Sequence, residues 1–487
     1  MGLNTSQILV FLGLTALIAG LTVWLTRGHR TGESAERDYF LAGGGLKWYF
    51  VAGSITLTNL STDQLIGMNG NQMALLAWWE LAAVVGLLML AFVFIPVYYR
   101  YNCTTTTELL ERRYGSRHIR ALISLLFLAG NVFIFLPAIL YGGSLFMQQM
   151  FGLEHISLWW FAVAFAAVGA AYAIFGGLRA VAVSDTISGA LILGLALYVT
   201  YLSLAAIDFD LSGVPAERLS LVGGFDSPIP FATLFTGMLF IQMFYWSTNQ
   251  TITQRAMASP TVGEAQKGIL AAALIRLLIV PPIIVLPGIV SFKLFGEIPN
   301  NQAYGTIVSA LLPAALSGAF AAAIAAAVLT TFNSILNASA ALWVLDVHES
   351  YVDQAPRIRP LSAVVSLVMV GLAFVMIPQF MSGDNLINQV QEYYGYLSMP
   401  ILSAFVTGLL FRNVHAGAVI IAVVFAVLFY AVQVNVYPKW PGGNFIHNMA
   451  ITLLAAVALA LLLNRFAFGQ RAAWDAHNVF GRRASLA

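Results

Sequence analysis

Of 487 residues, 60% are hydrophobic and only 9% are charged. A soluble chain carries roughly 25% charged residues, so this one is an integral membrane protein. A net charge of +2 leaves no electrostatic footprint for nucleic acid. The single cysteine, Cys103, rules out an intrachain disulfide framework and a multi-cysteine metal site. With no P-loop, nucleophile elbow or His/Cys cluster, the residues offer no enzyme chemistry.

Taken in order, apolar runs long enough to span a bilayer fall at 7–26, 48–70, 74–99, 121–150, 158–175, 181–206, 231–254, 268–295, 304–345, 361–380, 386–411, 417–437 and 444–466. The first has neither a basic stretch before it nor a small-residue cleavage site after it, so it reads as a retained helix. The run at 304–345 is too long for one straight span. It contains either a re-entrant or surface stretch or a short helix ahead of the true span. The expectation is an all-α polytopic protein of about thirteen helices.

Basic residues orient it. With the amino terminus outside, nineteen of the 23 lysines and arginines fall on the inner side, among them Arg112, Arg113, Arg117, Arg120, Arg179 and Arg255. Three are outside (Arg218, Lys293 and Lys439), and Arg276 lies within a span. The carboxyl terminus is then cytoplasmic.

Two spans are polar in their middle. "TNLSTDQLIGMNG", residues 58–70, puts asparagines, hydroxyls, Gln64 and Asp63 between apolar runs. Five helices later, "FATLFTGMLFIQMFYWSTNQTITQ" turns polar from Ser247. Unpaired polar backbone in hydrocarbon costs several kcal/mol per group, so such stretches line a cavity. Transporters built from inverted repeats interrupt corresponding helices in each half and bind solute and ions there. That reading divides the chain into an amino-terminal helix and linker (1–47), a first repeat (48–206), a second repeat (207–412) and carboxyl-terminal helices with a tail (413–487). Farther on, Ala327, Thr330, Thr331 and Ser334 recur at i, i+3, i+4 and i+7 and share one helical face. Oxygen donors without redox chemistry suit a hard cation; the plainer alternative is that the threonine hydroxyls bond back to their own helix.

"DYFLAGG", "TNLSTDQLIGMNG", "GGLRAVAVSDTISG", "FYWSTNQTITQRAMAS" with "EAQKG", and "NSILNASAALWVLDV" together resemble the sodium/solute symporter family, and most of all its sodium/glucose cotransporter branch. The resemblance runs in order from about residue 38 to 412. It implies a LeuT-type five-plus-five inverted repeat in the cell membrane, with sodium-driven symport of a sugar or related polyol by alternating access. Sialic acid, inositol or an amino acid as solute, or a ligand sensor of the same fold, are the alternatives. Its partners would be sodium, a small-molecule solute and the bilayer. Carried over residue by residue, sodium would be held by the carbonyls of Leu57, Leu60 and Ala327 and the hydroxyls of Thr330 and Thr331, where the family usually has serines. A second sodium would use Asp185, Asn333 and Ser334 with Thr330. The solute pocket would be Asn59, Gln64, Glu80, Gln242, Arg276 and Gln391, with Tyr245 stacked beneath the sugar. Amides and carboxylates suit a polyol, whose hydroxyls both donate and accept, and an aromatic face suits its C–H side. Arg276 replaces a lysine, Gln242 an asparagine, and Asn333 a hydroxyl residue.

Each assignment has a plainer competitor. Glu80, beside Trp78 and Trp79, fits an outer aromatic belt. Arg276 could snorkel toward water, and if it points inward it would favour an anionic solute. Asp185 could pair with Arg179, while Tyr245 and Trp246 could simply pack. No family role falls to Asp63.

Overall fold

The computed structural model describes residues 4–26, 39–60, 62–354, 357–383, 385–436 and 443–475, with the side chains of 63 and 172–176 left aside. Arg27, Arg30, Arg37, Lys439, Arg482 and Arg483, used above to orient the chain, lie outside these residues, as does the side chain of Asp63.

The chain is helical almost throughout, as apolar runs without strand-like alternation dictate. A first helix, α1 (Thr5–Thr26), is largely uncovered by protein but is pinned at one buried polar residue. Gln7 donates to the carbonyl of Met150 and to Ser317 Oγ, each at 2.9 Å. A broken pair follows, α2 (Trp48–Asn59) and α3 (Thr62–Gly70). Next come α4 (Ala74–Arg100), the short α5 (Glu108–Tyr114), α6 (Arg117–Phe151), α7 (Leu158–Ala171) and α8 (Gly177–Ala205). The second broken pair is α9 (Gly237–Ser247) and α10 (Gln250–Met257). After it run α11 (Val262–Phe295), α12 (Ala303–Leu311), α13 (Ala314–Tyr351), α14 (Ile358–Met381), α15 (Leu386–Leu410), α16 (Ala416–Asn435) and α17 (Phe445–Phe466). Two residues on either side, Phe411–Arg412 and Ala473–Trp474, pair antiparallel as β1 and β2.

Ten helices among the described residues are long and apolar enough to cross a membrane by themselves. The expected spans at 48–70 and 231–254 are not among them because each is cut in two, and α7 is shorter. The long run at 304–345 resolves into α12, a turn at Leu312–Pro313, and α13, so the short-extra-helix alternative is the one adopted. Between α7 and α8 the helical path of Leu158–Ala205 breaks at Gly177, whose φ of 60° and ψ of −178° only glycine adopts without strain. Several helix starts are capped by an acceptor side chain; Asn249, Thr261, Asn385 and Asn444 each take a backbone N–H at the first turn.

Both broken pairs lie inside the bundle. The α2 segment packs on α8 and α11, α9 on α4 and α15, and α10 on α13. Eight consecutive residues of α10, Gln250 to Met257, are buried although five of them are polar or charged. That arrangement is what a membrane interior permits only if each group finds a partner.

Candidate functional site

The first break is set by the end of α2. Leu60 leaves helical geometry (φ −84°, ψ 68°), and its N–H still bonds the carbonyl of Thr56. From α13 across the gap, Thr331 Oγ1 donates to the carbonyl of Thr58 at 3.0 Å. Thr331 therefore reaches the interrupted helix, as the ion-site expectation needs. Thr330 bonds back to the carbonyl of Ala327 at 3.1 Å, as the plainer alternative has it. Leu57, Leu60, Ala327, Thr330 and Thr331 are all buried. No side-chain donor meets the carbonyls of Leu57 or Leu60 among the described residues. The carbonyls of Leu57, Leu60 and Ala327 with the hydroxyls of Thr330 and Thr331 would make an all-oxygen donor set, which fits a hard, redox-inert cation such as sodium.

Beside this region α8 approaches α2 closely. A β-carbon on Gly189 would lie 1.4 Å from Leu57 Cδ1, so only glycine allows the contact. One turn earlier, Asp185 Oδ2 accepts from Ser54 Oγ at 2.5 Å and Thr58 Oγ1 at 3.0 Å. Its cationic partner is Arg255 of α10, at 3.6 Å, and not Arg179. Arg255 was counted above among the inner basic residues, yet it is fully buried. It donates to Ser54 Oγ at 2.7 Å, to the carbonyl of Thr251 and to Ser334 Oγ. Of the three residues expected to hold a second ion, Asp185 and Ser334 are thus bridged by a guanidinium. The third, Asn333, is fully buried with neither amide atom partnered.

The expected solute residues gather on the other side of α2. Asn59, Gln64, Glu80, Gln242, Tyr245 and Gln391 line one small cavity, together with Met68, Trp79, Phe135, Ile241, Trp246 and Ile387. Room for the centres of water molecules is about 30 Å³, enough for a few waters. Gln64 Nε2 donates to Glu80 Oε1 at 2.7 Å, which leaves Gln64 Oε1 buried without a partner. Tyr245 donates its hydroxyl to Asn59 Oδ1. Gln242 has its amide engaged on both ends, by the carbonyl of Trp79 at 2.8 Å and by Trp246 Nε1 at 2.9 Å. Arg276 does not line the cavity. It is fully buried behind Trp246, paired with Glu80 and donating to the carbonyl of Thr56 at 3.0 Å. Neither the belt alternative for Glu80 nor the snorkelling alternative for Arg276 describes this arrangement.

Asn59, Phe135 and Tyr245 also wall a second small void that contains Thr58, Asn131, Asn249 and Thr331. The polar cavity and the Thr331 region therefore share a partition made by the end of α2 and one face of α9. Phe135 and Tyr394, with ring centroids 4.6 Å apart at near right angles, brace it. Toward the other end, a wide vestibule of about 650 Å³ is lined by Asn71, Gln72, Tyr141, Arg218, Glu297 and Asn301, among others.

Sequence reasoning missed Ser54, Thr58 and Arg255, although hydroxyls four apart on α2 and a basic residue inside the second polar stretch were visible signals. It also missed Asp346, a buried carboxylate at the end of α13. Asp346 is bound by Thr105 at 2.8 Å, Ser124 at 2.5 Å, Arg120 at 2.7 Å and Thr107. An acidic residue in an apolar helix is itself a flag for such a network.

The sodium:solute symporter family model matches residues 39–425. The uncharacterized symporter YidK of Escherichia coli (strain K12) is 32% identical over 95% of this chain and 84% of its own. A sodium/glucose cotransporter of Vibrio parahaemolyticus is 28% identical over 88% of this chain and 85% of its own. Among solved structures, a sodium-coupled sialic acid symporter in a substrate-bound outward-open state superposes with a TM-score of 0.80, covering 95% of this chain and 98% of that one at 18% identity. The fold is accordingly LeuT-like and all-α. With the family pattern spanning most of its length, the chain belongs to the sodium:solute symporter family and is a sodium-coupled solute symporter of the cell membrane, not an enzyme.

Proposed function

We propose that the protein takes up a sugar or related polyol together with sodium by alternating access, with its amino terminus outside and its carboxyl terminus cytoplasmic. The observation that carries this reading is the small polar cavity. It brings six of the seven expected solute residues together around the first break, one partition away from Thr331. Neutral amides and one compensated carboxylate offer donors and acceptors in both directions, which hydroxyl-rich solutes use. Tyr245 and Phe135 supply aromatic surface for the C–H side.

Sodium sits at the carbonyls of Leu57, Leu60 and Ala327 with the hydroxyls of Thr330 and Thr331. Binding there stiffens the junction between α2 and α13, and Asn59, on the same turn as Thr58, carries that order into the solute cavity. We infer one sodium per cycle, because Arg255 already supplies the positive charge between Asp185 and Ser334. One charge moved inward is worth about 2.3 kcal/mol per 100 mV. The two inverted repeats, 48–206 and 207–412, rock about the breaks, and 1–47 and 413–487 flank them.

Counterflow of labelled hexoses and polyols in proteoliposomes, with and without sodium, tests the proposal. Exchange that requires sodium supports it. Sodium-dependent exchange of an amino acid with none of any hexose or polyol would overturn the sugar assignment and leave sodium coupling in place. Gln391→Ala should weaken sugar binding about five- to 150-fold, the equivalent of about 1–3 kcal/mol for one lost buried partner, while sodium binding without sugar persists.

A further inference from the structure

We propose that the buried Glu80–Arg276 pair is the element that restricts this transporter to uncharged solutes. The inference rests on the small polar cavity being the solute site, and it goes further by assigning the charge class of the solute. Among the described side chains that line the cavity, Glu80 is the only acidic or basic one. Both of its oxygens are engaged, Oε1 by Gln64 and Oε2 by Arg276. Arg276 compensates that charge from behind the wall. Its Cζ lies 4.5 Å from the ring of Trp246, whose indole lines the cavity, and a second guanidinium nitrogen is tied to the carbonyl of Thr56.

The result is a cavity with no unpaired charge facing the solute. An anionic solute brings its carboxylate next to Glu80 and finds no cation on the cavity wall, since the guanidinium is tied to Glu80 and the Thr56 carbonyl and lies behind Trp246. A cationic solute must compete with Arg276 for Glu80. Either charge would be desolvated without compensation, which is how a buried site rejects a wrong partner. A neutral solute meets the buried, unpartnered Gln64 Oε1 and loses nothing. Arginine in place of a shorter amine makes the restraint firmer, because a planar guanidinium bonds the carboxylate and the Thr56 carbonyl at once.

The test is sodium-dependent thermal stabilisation of the purified full-length protein by matched neutral and anionic solutes. The pairs are glucose with glucuronate, galactose with galacturonate, and an N-acetyl amino-acid amide with its free acid. The wild type should favour the neutral member by about tenfold or more in half-saturating concentration. Glu80→Gln strips the guanidinium of its counter-charge and should move the preference toward the anionic member. The double variant Glu80→Gln/Arg276→Gln removes both charges and should restore the neutral preference, so the pair is tested even if the single variant does not fold. Equal affinity of the wild type for both members would overturn the proposal. So would a folded Glu80→Gln protein that keeps the wild-type preference, or a double variant that favours anions. A neutral preference in the amide pair, with no sugar or sugar acid binding, would overturn the sugar reading and uphold the role of the pair. Binding by no member of any pair would remove the cavity as the solute site, and this inference with it.

Discussion

The two interrupted helices look alike in sequence and differ in how their loose ends are met. At the second break the chain satisfies itself. The N–H groups of Thr248 and Asn249 both reach the carbonyl of Phe244, Asn249 Oδ1 caps Thr251, and Tyr98 donates to the carbonyl of Ser247 at 3.0 Å. At the first break the Thr58 carbonyl receives a side-chain donor from Thr331 and the Thr56 carbonyl one from Arg276, while those of Leu57 and Leu60 receive none among the described residues. Interruption alone does not make an ion site. The proposed ion site needs carbonyls without side-chain donors next to hydroxyls, and the first break offers both among the described residues. The second break instead delivers polar side chains, Gln250, Gln254 and Arg255, that fasten the surrounding helices.

The largest effect should come from cutting what the second break delivers to the first. Arg255→Ala leaves Asp185 buried and unpaired, and removing one partner of such a pair costs about 3–5 kcal/mol. We expect a large drop in thermal stability and loss of sodium-dependent uptake. Asp185→Asn should also destabilise, but it should leave the charge moved per solute unchanged, as read by reversal potential in liposomes. A reduced charge in Asp185→Asn would show that a second sodium displaces Arg255, and the one-ion account would fall.

Thr331→Ala removes the one hydroxyl that crosses from α13 to the first break. Losing a buried partner of that kind costs about 1–3 kcal/mol, so the sodium concentration for half-maximal uptake should rise by roughly tenfold. Thr330→Ala should do less, because part of the Thr330 hydroxyl's capacity is spent on Ala327. Uptake curves that coincide with wild type at all sodium concentrations would remove the first break from ion binding.

The contrast sharpens with Asn249→Ala. That side chain caps α10 and donates to Tyr394 at 3.1 Å. Its loss should cost about 0.5–2 kcal/mol of stability, as for other N-caps, and should leave sodium affinity at the wild-type value. A shift in sodium affinity as large as that of Thr331→Ala would mean that the two breaks are not functionally distinct.

Much of this was legible in the chain itself. Polar residues inside an apolar run can only face a cavity, so the breaks at Leu60 and at Thr248–Asn249 announced themselves, whereas the residues that line the cavity came from the family resemblance. What stayed hidden depends on distance through space. Arg255 read as an inner loop charge because nothing near it in sequence shows that Asp185, seventy residues earlier, and Ser334 close around it. Gln242 and Arg276 are the right residue types in the right helices. Their hydrogen bonds go to Trp79, Trp246 and Thr56, and no periodicity reports how a side chain's donors are spent. Asp346 was passed over for the same reason, since its partners come from the loop before α5 and from α6.

The smallest effect tests what the second break holds on its far side. Gln250, the first residue of α10, accepts from the Thr106 N–H at 2.8 Å and donates to the carbonyl of Thr104 at 3.3 Å. It therefore fastens the loop that carries Cys103. Burial, helped by the nearby Glu108 carboxylate, pushes the Cys103 thiol up to about 12. At pH 8.5 an ordinary cysteine is about half thiolate, but Cys103 should remain a thiol, and the thiolate is the nucleophile. Wild-type protein should thus label slowly with a maleimide even at that pH. Gln250→Ala releases the loop from α10, so labelling should speed up several-fold while sodium affinity stays unchanged. Rapid labelling of the wild type would contradict the burial of Cys103. An unchanged rate in Gln250→Ala would mean that the Asp346 network holds the loop without help from the second break.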